Sequence, residues 1–167
     1  NISEYKDFDA NIERFMRRWG LTGASVAIAK DNQLIYAKGF GYANRENNEV
    51  MQPYHIMRIA SVSKLITAVG VMHLVDVGLL KLDAHVFGPK GILNDLHFQN
   101  YIDSRVEDIT VRHLLNHSAG WTTRWGDHLF MHQSIARQLD IPLPIVQDDI
   151  ICFALSRRLH FAPGNRS

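Results

Sequence analysis

The stretch Ser61-Val62-Ser63-Lys64 places a serine hydroxyl three residues ahead of a lysine, at the start of a long apolar run. This run predicts a helix from Ser61 to about Val77; its apolar members are Leu65, Ile66, Ala68, Val69, Val71, Met72, Leu74, Val75 and Val77. Residues three apart share one face of a helix, so the Ser61 and Lys64 side chains can touch. Unpaired N–H groups at the helix N-terminus would favour negative charge beside Ser61, while apolar surroundings would favour a neutral Lys64 that accepts the serine proton. The four residues therefore predict a nucleophile with its base.

The same spacing also has a plain structural interpretation, in which Ser61 caps a helix and Lys64 faces the solvent. Four segments in a fixed order decide between the two interpretations. They are Arg58-Ile59-Ala60-Ser61-Val62-Ser63-Lys64, Gly78-Leu79-Leu80-Lys81-Leu82-Asp83, residues 109–121 with Leu114-Leu115-Asn116-His117-Ser118-Ala119-Gly120-Trp121, and Phe161-Ala162-Pro163-Gly164. Together they resemble the serine β-lactamase and penicillin-binding protein superfamily, in particular its class C β-lactamase, D-alanyl-D-alanine carboxypeptidase and esterase branch. Ala119 and Trp121 depart slightly from that pattern.

The resemblance implies a fold and a chemistry. The expected fold class is α/β (α+β), with an antiparallel sheet flanked by helices and a separate helical lobe. The expected reaction is acyl hydrolysis with Ser61 as nucleophile, Lys64 as general base and the Ser61 N–H as one oxyanion donor. Expected substrates are β-lactams, D-alanyl peptides or small esters, with no metal and no organic cofactor. A non-catalytic sensory or scaffold relative with the same fold is the alternative.

Two further motifs of the resembled family are expected after Ser167: a Tyr-x-Asn, and a Lys/His-Thr/Ser-Gly on a sheet strand. Tyr42-Ala43-Asn44 matches the first as a string, but it precedes Ser61, in the wrong order. We therefore expect the chain to be the N-terminal portion of a longer protein, with little activity alone and with the C-terminal remainder as its partner. The resemblance also favours an extracytoplasmic location, periplasmic or secreted.

Composition excludes several other classes of function. The 167 residues contain 18 Lys plus Arg against 17 Asp plus Glu, a net charge of +1, so no basic stripe for nucleic acid is expected. No apolar run is long enough to predict a membrane span, because His73 and Asp76 interrupt even the Ser61 helix. Cys152 is the single cysteine, and its apolar neighbours predict a buried thiol.

The periodicity predicts two parts, residues 1–52 and residues 53–167. The first contains an amphipathic helix from Glu4 to Trp19 with Ser3 as N-cap, then two strands, 24–30 and 33–41, joined by a tight turn at Asp31-Asn32. A polar connector, residues 45–52, should follow. The second part contains the Ser61 helix and helices at 111–116 and 148–159, with an irregular insertion at 122–147.

Other side chains carry weaker hypotheses. His113 with His117 and His128 with His132 have the spacing of metal-ligand pairs, but neither pair has an acidic partner that would complete a zinc-protease signature. The resemblance makes His113 a packing or hydrogen-bonding residue near the site instead. Trp121, Trp125 and Phe130 could line a substrate pocket or fill the core of the helical lobe, and the sequence leaves both open.

Overall fold

The computed structural model describes residues 5–166 and divides the chain into two compact units, the first reaching to Ala60 and the second beginning at Ser61. The first unit contains α1 (Lys6–Trp19), β1 (Gly23–Lys30), β2 (Gln33–Asn44) and the short β3 (Glu49–Val50). The second contains α2 (Ser63–Asp76), α3 (Val111–Leu115), α4 (His132–Leu139) and α5 (Gln147–Leu155), with several 3₁₀ turns between them. The predicted mixture of helices and antiparallel sheet is confirmed. The predicted division at residue 52 stays a prediction.

The first unit packs a helix on an antiparallel hairpin, as the sequence predicts. Asp31 and Asn32 both adopt positive φ, which suits the tight turn that pairs β1 with β2 from Gly23 opposite Gly41 to Lys30 opposite Gln33. The Tyr36 hydroxyl and the Lys38 ammonium both donate to the Asp9 carboxylate, tying β2 to α1. The predicted N-cap Ser3 lies outside the described residues.

One segment of the first unit is more ordered than the sequence indicates. Within the predicted polar connector, Glu49 and Val50 form β3, which pairs with the end of β2 through Tyr42 and Asn44. A strand of two residues leaves almost no periodic signal in a sequence, because alternation needs about four residues to be recognised.

The core of the second unit is built mainly from loops and short helices. Its main cluster of buried residues consists of Val86, Phe87, Phe98, Val106, Ile109, Val111, Ala119, Leu155 and Leu159. A second cluster combines α4 and α5 through Ile135, Ala136, Ile145 and Phe153. Burial of such side chains stabilises a fold by about 1.5–3 kcal/mol each. These clusters hold the segments on which the candidate site is built.

Two sequence predictions for the second unit need correction. Residues 132–139 lie in the region predicted to be irregular, yet they form α4, with Ile135 and Ala136 buried. Met131, Ile135 and Leu139 do carry helical spacing, but so short a stripe is easily missed among polar residues. The helix predicted to end at Leu159 ends at Leu155, because the Leu159 N–H donates to the Asp103 carboxylate and does not continue the helical ladder.

Candidate active site

Ser61 and Lys64 are in direct contact. Ser61 lies in a 3₁₀ turn, Ala60–Val62, and α2 begins two residues after it, at Ser63. The Lys64 Nζ lies 2.9 Å from the Ser61 Oγ and hydrogen-bonds to it. A separation of this size is within reach for direct proton transfer between a nucleophile and its base. The structure therefore supports the contact that the spacing predicts.

The surroundings of Lys64 differ from the expectation. Lys64 is exposed, and α2 has no buried residue despite its apolar sequence. On α2, Val71 is partly buried and packs against the main core cluster. The second unit by itself therefore does not supply the desolvation that the apolar sequence predicts for the lysine.

The backbone immediately before Ser61 is strained. Ala60 has a φ of 44°, in the left-handed region that residues with a Cβ rarely adopt. Such strain is found at functional sites that are held in place by the surrounding fold. The sequence gives no sign of it, because alanine is a good helix former and no glycine marks the turn.

Lys64 lines a cleft of about 840 Å³ in the second unit. The other residues that line it are Leu114, His117, Ala119, Trp121, Thr122, Thr123, Gly126, Asp127, His128, Leu129, Phe161 and Arg166. Apart from Arg166, they come from the segments whose motifs carry the family resemblance and from the predicted irregular insertion, 122–147. The charged members are Lys64, Arg166 and Asp127, so the lining carries both signs.

His113 has a structural role beside this cleft. Its backbone N–H donates to the Thr110 Oγ1, and its ring Nδ1 accepts the Thr110 N–H, each over 3.3 Å, so the pair caps the N-terminus of α3. Its other ring nitrogen faces Gly164, where a Cβ would lie only 3.1 Å from the Nε2. The prediction that His113 is a packing or hydrogen-bonding residue is confirmed.

The loop with Phe161 is hydrogen-bonded to the turn formed by Ser118, Ala119 and Gly120. The His160 N–H donates to the Gly120 carbonyl over 2.9 Å, and the Gly164 N–H donates to the Ser118 carbonyl over 2.8 Å. A Cβ on Gly120, whose φ is 112°, would approach the Phe161 carbonyl oxygen to 2.5 Å, so glycine is needed there. The Ser118-Ala119-Gly120 turn and the Phe161-Ala162-Pro163-Gly164 loop thus form one wall.

The buried Asp103 carboxylate holds Leu159, which lies just before the Phe161 loop of that wall. Asp103 is 8% exposed and accepts hydrogen bonds from the Arg105 side chain and from the Leu159 N–H. The Arg105 guanidinium also donates to the Leu159 carbonyl over 2.8 Å. The Arg105 hydrogen bonds outweigh burial and lower the pKa of Asp103 to about 2. The sequence did not predict the contact between Asp103 and Leu159, because 56 residues separate them.

The aromatic residues fall into different places. Trp121 lines the cleft and also packs against the core, where its Nε1 donates to the Ala154 carbonyl over 3.1 Å. Both predicted roles, pocket lining and core packing, therefore apply to it. Phe130 is 86% exposed and belongs to neither. The backbone of Trp125 lies in a 3₁₀ turn, Thr123–Trp125.

The remaining hypotheses place nothing further in the cleft. Within residues 5–166, no three His, Cys, Asp or Glu side chains are grouped as a metal site would require. Tyr42 and Asn44 lie at the end of β2, in the first unit.

Cys152 is half-buried and contacts the His97 carbonyl, and burial raises the pKa of its thiol. No helix within the described residues has both the length and the apolar character needed to cross a membrane.

The family is shown by comparison with known proteins. The sequence model described as Beta-lactamase matches residues 8–167. The chain belongs to the β-lactamase family. This membership places it in a superfamily of serine hydrolase type, and the motifs quoted above lie within the matched range.

Individual relatives show how much of such a protein the chain covers. It is 29% identical to Esterase EstB of Burkholderia gladioli over 94% of the chain and 40% of that protein. It is 31% identical to the mitochondrial serine β-lactamase-like protein LACTB of Bos taurus over 65% of the chain and 19% of that protein. The octameric penicillin-binding protein homologue from Pyrococcus abyssi superimposes on 99% of the chain and 35% of its own length, with 31% identity and a TM-score of 0.69. The structure is therefore a part of the β-lactamase fold.

Proposed function

We propose that the protein is a serine acyl hydrolase in which Ser61 forms an acyl-enzyme and Lys64 is the general base. The observation that carries the proposal is the 2.9 Å contact between the Lys64 Nζ and the Ser61 Oγ, with Lys64 lining a cleft of about 840 Å³. A neutral lysine accepts the serine proton while the Oγ attacks the substrate carbonyl carbon. The leaving group departs with a proton, and water then hydrolyses the acyl-enzyme to release the acid and regenerate Ser61.

The start of α2 assists this chemistry. Oxyanion stabilisation needs N–H donors aimed at the developing charge, and the partial positive charge of a helix N-terminus adds to them. We assign one oxyanion donor to the Ser61 N–H, at the turn that leads into α2. The second donor and a proton-transferring tyrosine are assigned to a C-terminal remainder of the protein. The chain spans 40% of the length of EstB, which supports this division.

The candidate substrates are β-lactams, D-alanyl peptides and small esters. Esters have the support of a relative named as an esterase, and β-lactams that of the family itself. A cleft lined by Trp121, Phe161 and two leucines suits an apolar acyl group. The extracytoplasmic location stays a prediction, which fractionation of cells that express the full-length gene product would test.

Covalent labelling tests the proposal. The full-length gene product is treated with a fluorescent penicillin and, separately, with a fluorophosphonate, and the labelled peptide is identified by mass spectrometry. We expect label on Ser61, turnover of nitrocefin or nitrophenyl esters, and the loss of both in Ser61→Ala. Absence of label and of turnover in the wild-type protein would leave the non-catalytic sensory or scaffold role in its place. The isolated 167-residue chain should hydrolyse little nitrocefin, because it lacks the two assigned groups.

A further inference from the structure

A second cavity of about 490 Å³ adjoins the candidate active-site cleft. The two cavities share Trp121, Thr122 and His128 in their linings. The rest of the second lining consists of Met131, Phe153, Arg157, Arg158, Leu159 and His160. Neither Ser61 nor Lys64 lines this cavity, which we call the arginine pocket.

The charge of the arginine pocket has one sign. Arg157 and Arg158 line it, and it contains no aspartate or glutamate. Within residues 5–166, neither arginine has a salt bridge. Arg157 lies over the Phe153 ring at 4.7 Å and donates to the Gln138 side-chain oxygen, so its position is set by neutral partners. A guanidinium without a carboxylate partner remains available to an anion from outside.

The walls of the arginine pocket suit an apolar arm that ends in that anion. Phe153 is buried, and the His128 ring packs edge-on against it at 5.1 Å. Burial lowers the pKa of His128, which disfavours a third positive charge on this wall. The Trp121 indole and Met131 complete a surface of aromatic and thioether groups. The neighbouring His160 ring is hydrogen-bonded to the Thr122 hydroxyl, with 3.3 Å between the His160 Nδ1 and the Thr122 Oγ1.

We propose that the arginine pocket binds a carboxylate carried at the far end of the substrate's acyl arm. The inference rests on the proposed function, since it gives the acyl hydrolase a preference for anionic acyl groups over neutral ones. The arm would lie along the shared wall of Trp121 and Thr122, with its carbonyl at Ser61 and its carboxylate at Arg157 and Arg158. Planar guanidinium groups match a carboxylate in charge and in hydrogen-bond geometry.

Matched pairs of nitrophenyl esters test this preference in the full-length gene product. Each pair consists of the mono-nitrophenyl ester of succinate, adipate or suberate and the same compound with its free carboxylate methylated. We expect the wild-type kcat/KM to favour the acid over its methyl ester at one of the three chain lengths. The Arg157→Gln, Arg158→Gln double variant should lower kcat/KM for that acid by about tenfold, with the methyl ester unchanged, because charge-assisted hydrogen bonds are lost.

Arg137→Gln is the matched control, since Arg137 is an exposed arginine of α4 that lines a different cavity. It should leave the ratio of acid to methyl ester unchanged. Raised salt should reduce the wild-type preference, as screening weakens an exposed ion pair. Equal treatment of acid and methyl ester by the wild-type enzyme at all three lengths would overturn the proposal, as would equal loss on both in the double variant.

A binding measurement separates this proposal from the proposed function. Monomethyl suberate is titrated into the wild-type protein, the double variant and Arg137→Gln, and binding is followed by NMR chemical shifts. We expect weaker binding only in the double variant, whether or not the protein hydrolyses esters. If hydrolysis and labelling of Ser61 both fail while this difference remains, the serine hydrolase role falls and the pocket stands. If Ser61 is labelled but all three proteins bind monomethyl suberate equally, the arginine pocket is refuted and the serine hydrolase role stands.

Discussion

The helix α2 and the main core cluster of the second unit are both strongly apolar, yet one is exposed and the other is buried. Leu65 on α2 is 64% exposed, whereas Ile109 in the core has no exposed surface. An α-helix that is apolar on all sides is normally buried within a protein. Lys64 lies on α2, and Ser61 lies in the turn directly before it. The rest of the second unit leaves the apolar surface of this helix uncovered.

The cleft wall and the Ser61–Lys64 pair differ in the same way. The wall is held by hydrogen bonds within the second unit, from His160 to Gly120 and from Gly164 to Ser118. Ser61 and Lys64 already touch, but the apolar surface around them is open. Four experiments test this contrast, from the largest expected effect to the smallest.

Replacement of Ser61 should give the largest effect. If the proposed function holds, Ser61→Ala in the full-length gene product should abolish covalent labelling and lower ester kcat/KM by about a thousandfold or more, as in well-studied serine hydrolases. Lys64→Ala should act similarly, and Lys64→Arg should not rescue it, because arginine stays protonated. Lys90→Ala is the matched lysine control, since Lys90 lines a different cavity. A Lys64→Ala variant with wild-type kcat/KM would remove the lysine from the mechanism.

Truncation of apolar side chains measures the difference between the two regions directly. In the 167-residue chain, Ile109→Ala should lower the free energy of unfolding by about 2–5 kcal/mol, because it leaves a cavity in the core. Leu65→Ala should change it by less than about 0.5 kcal/mol, as is usual for exposed sites. Urea denaturation gives both values. In the full-length gene product the Leu65→Ala penalty should rise, and equal penalties already in the 167-residue chain would contradict the exposure of α2.

The support behind the cleft wall should depend on pH. Asp103→Asn should lower the free energy of unfolding by about 2 kcal/mol at pH 7, given a folded-state pKa of about 2. Because that pKa lies below the unfolded value, the stabilisation is complete above about pH 4 and is lost as the pH falls towards 2. Asp83→Asn is the control, since Asp83 pairs with Arg112 at an exposed site and should matter much less. A deficit in Asp103→Asn that is independent of pH would refute the role of its charge.

Relief of the backbone strain at Ala60 should give the smallest effect. Ala60→Gly removes the Cβ that disfavours a φ of 44° and should raise the free energy of unfolding by up to about 1 kcal/mol. Ala68→Gly, in the interior of α2, should lower it by about the same amount, because glycine disfavours a helix with ordinary dihedral angles. Chemical denaturation of both variants tests the sign. A loss of stability in Ala60→Gly would argue against the strained turn.

The sequence by itself determined the features that depend on neighbours along the chain. A long apolar run predicted α2, and a spacing of three residues predicted the contact between Ser61 and Lys64. Asp31-Asn32 predicted the hairpin turn, and the ordered motifs identified the family. Each of these depends on backbone geometry within a few residues, which the order of side chains expresses directly.

Only the tertiary structure decided the features that join distant segments. Asp103 meets Leu159 across 56 residues, and the arginine pocket combines Trp121 with Arg157 and Arg158. The strain at Ala60 and the exposure of α2 also leave no local pattern, because both depend on which surfaces the rest of the chain covers. Local spacing therefore predicted the contact between Ser61 and Lys64, whereas the support of the cleft and the charge beside it arose from packing between segments far apart in sequence.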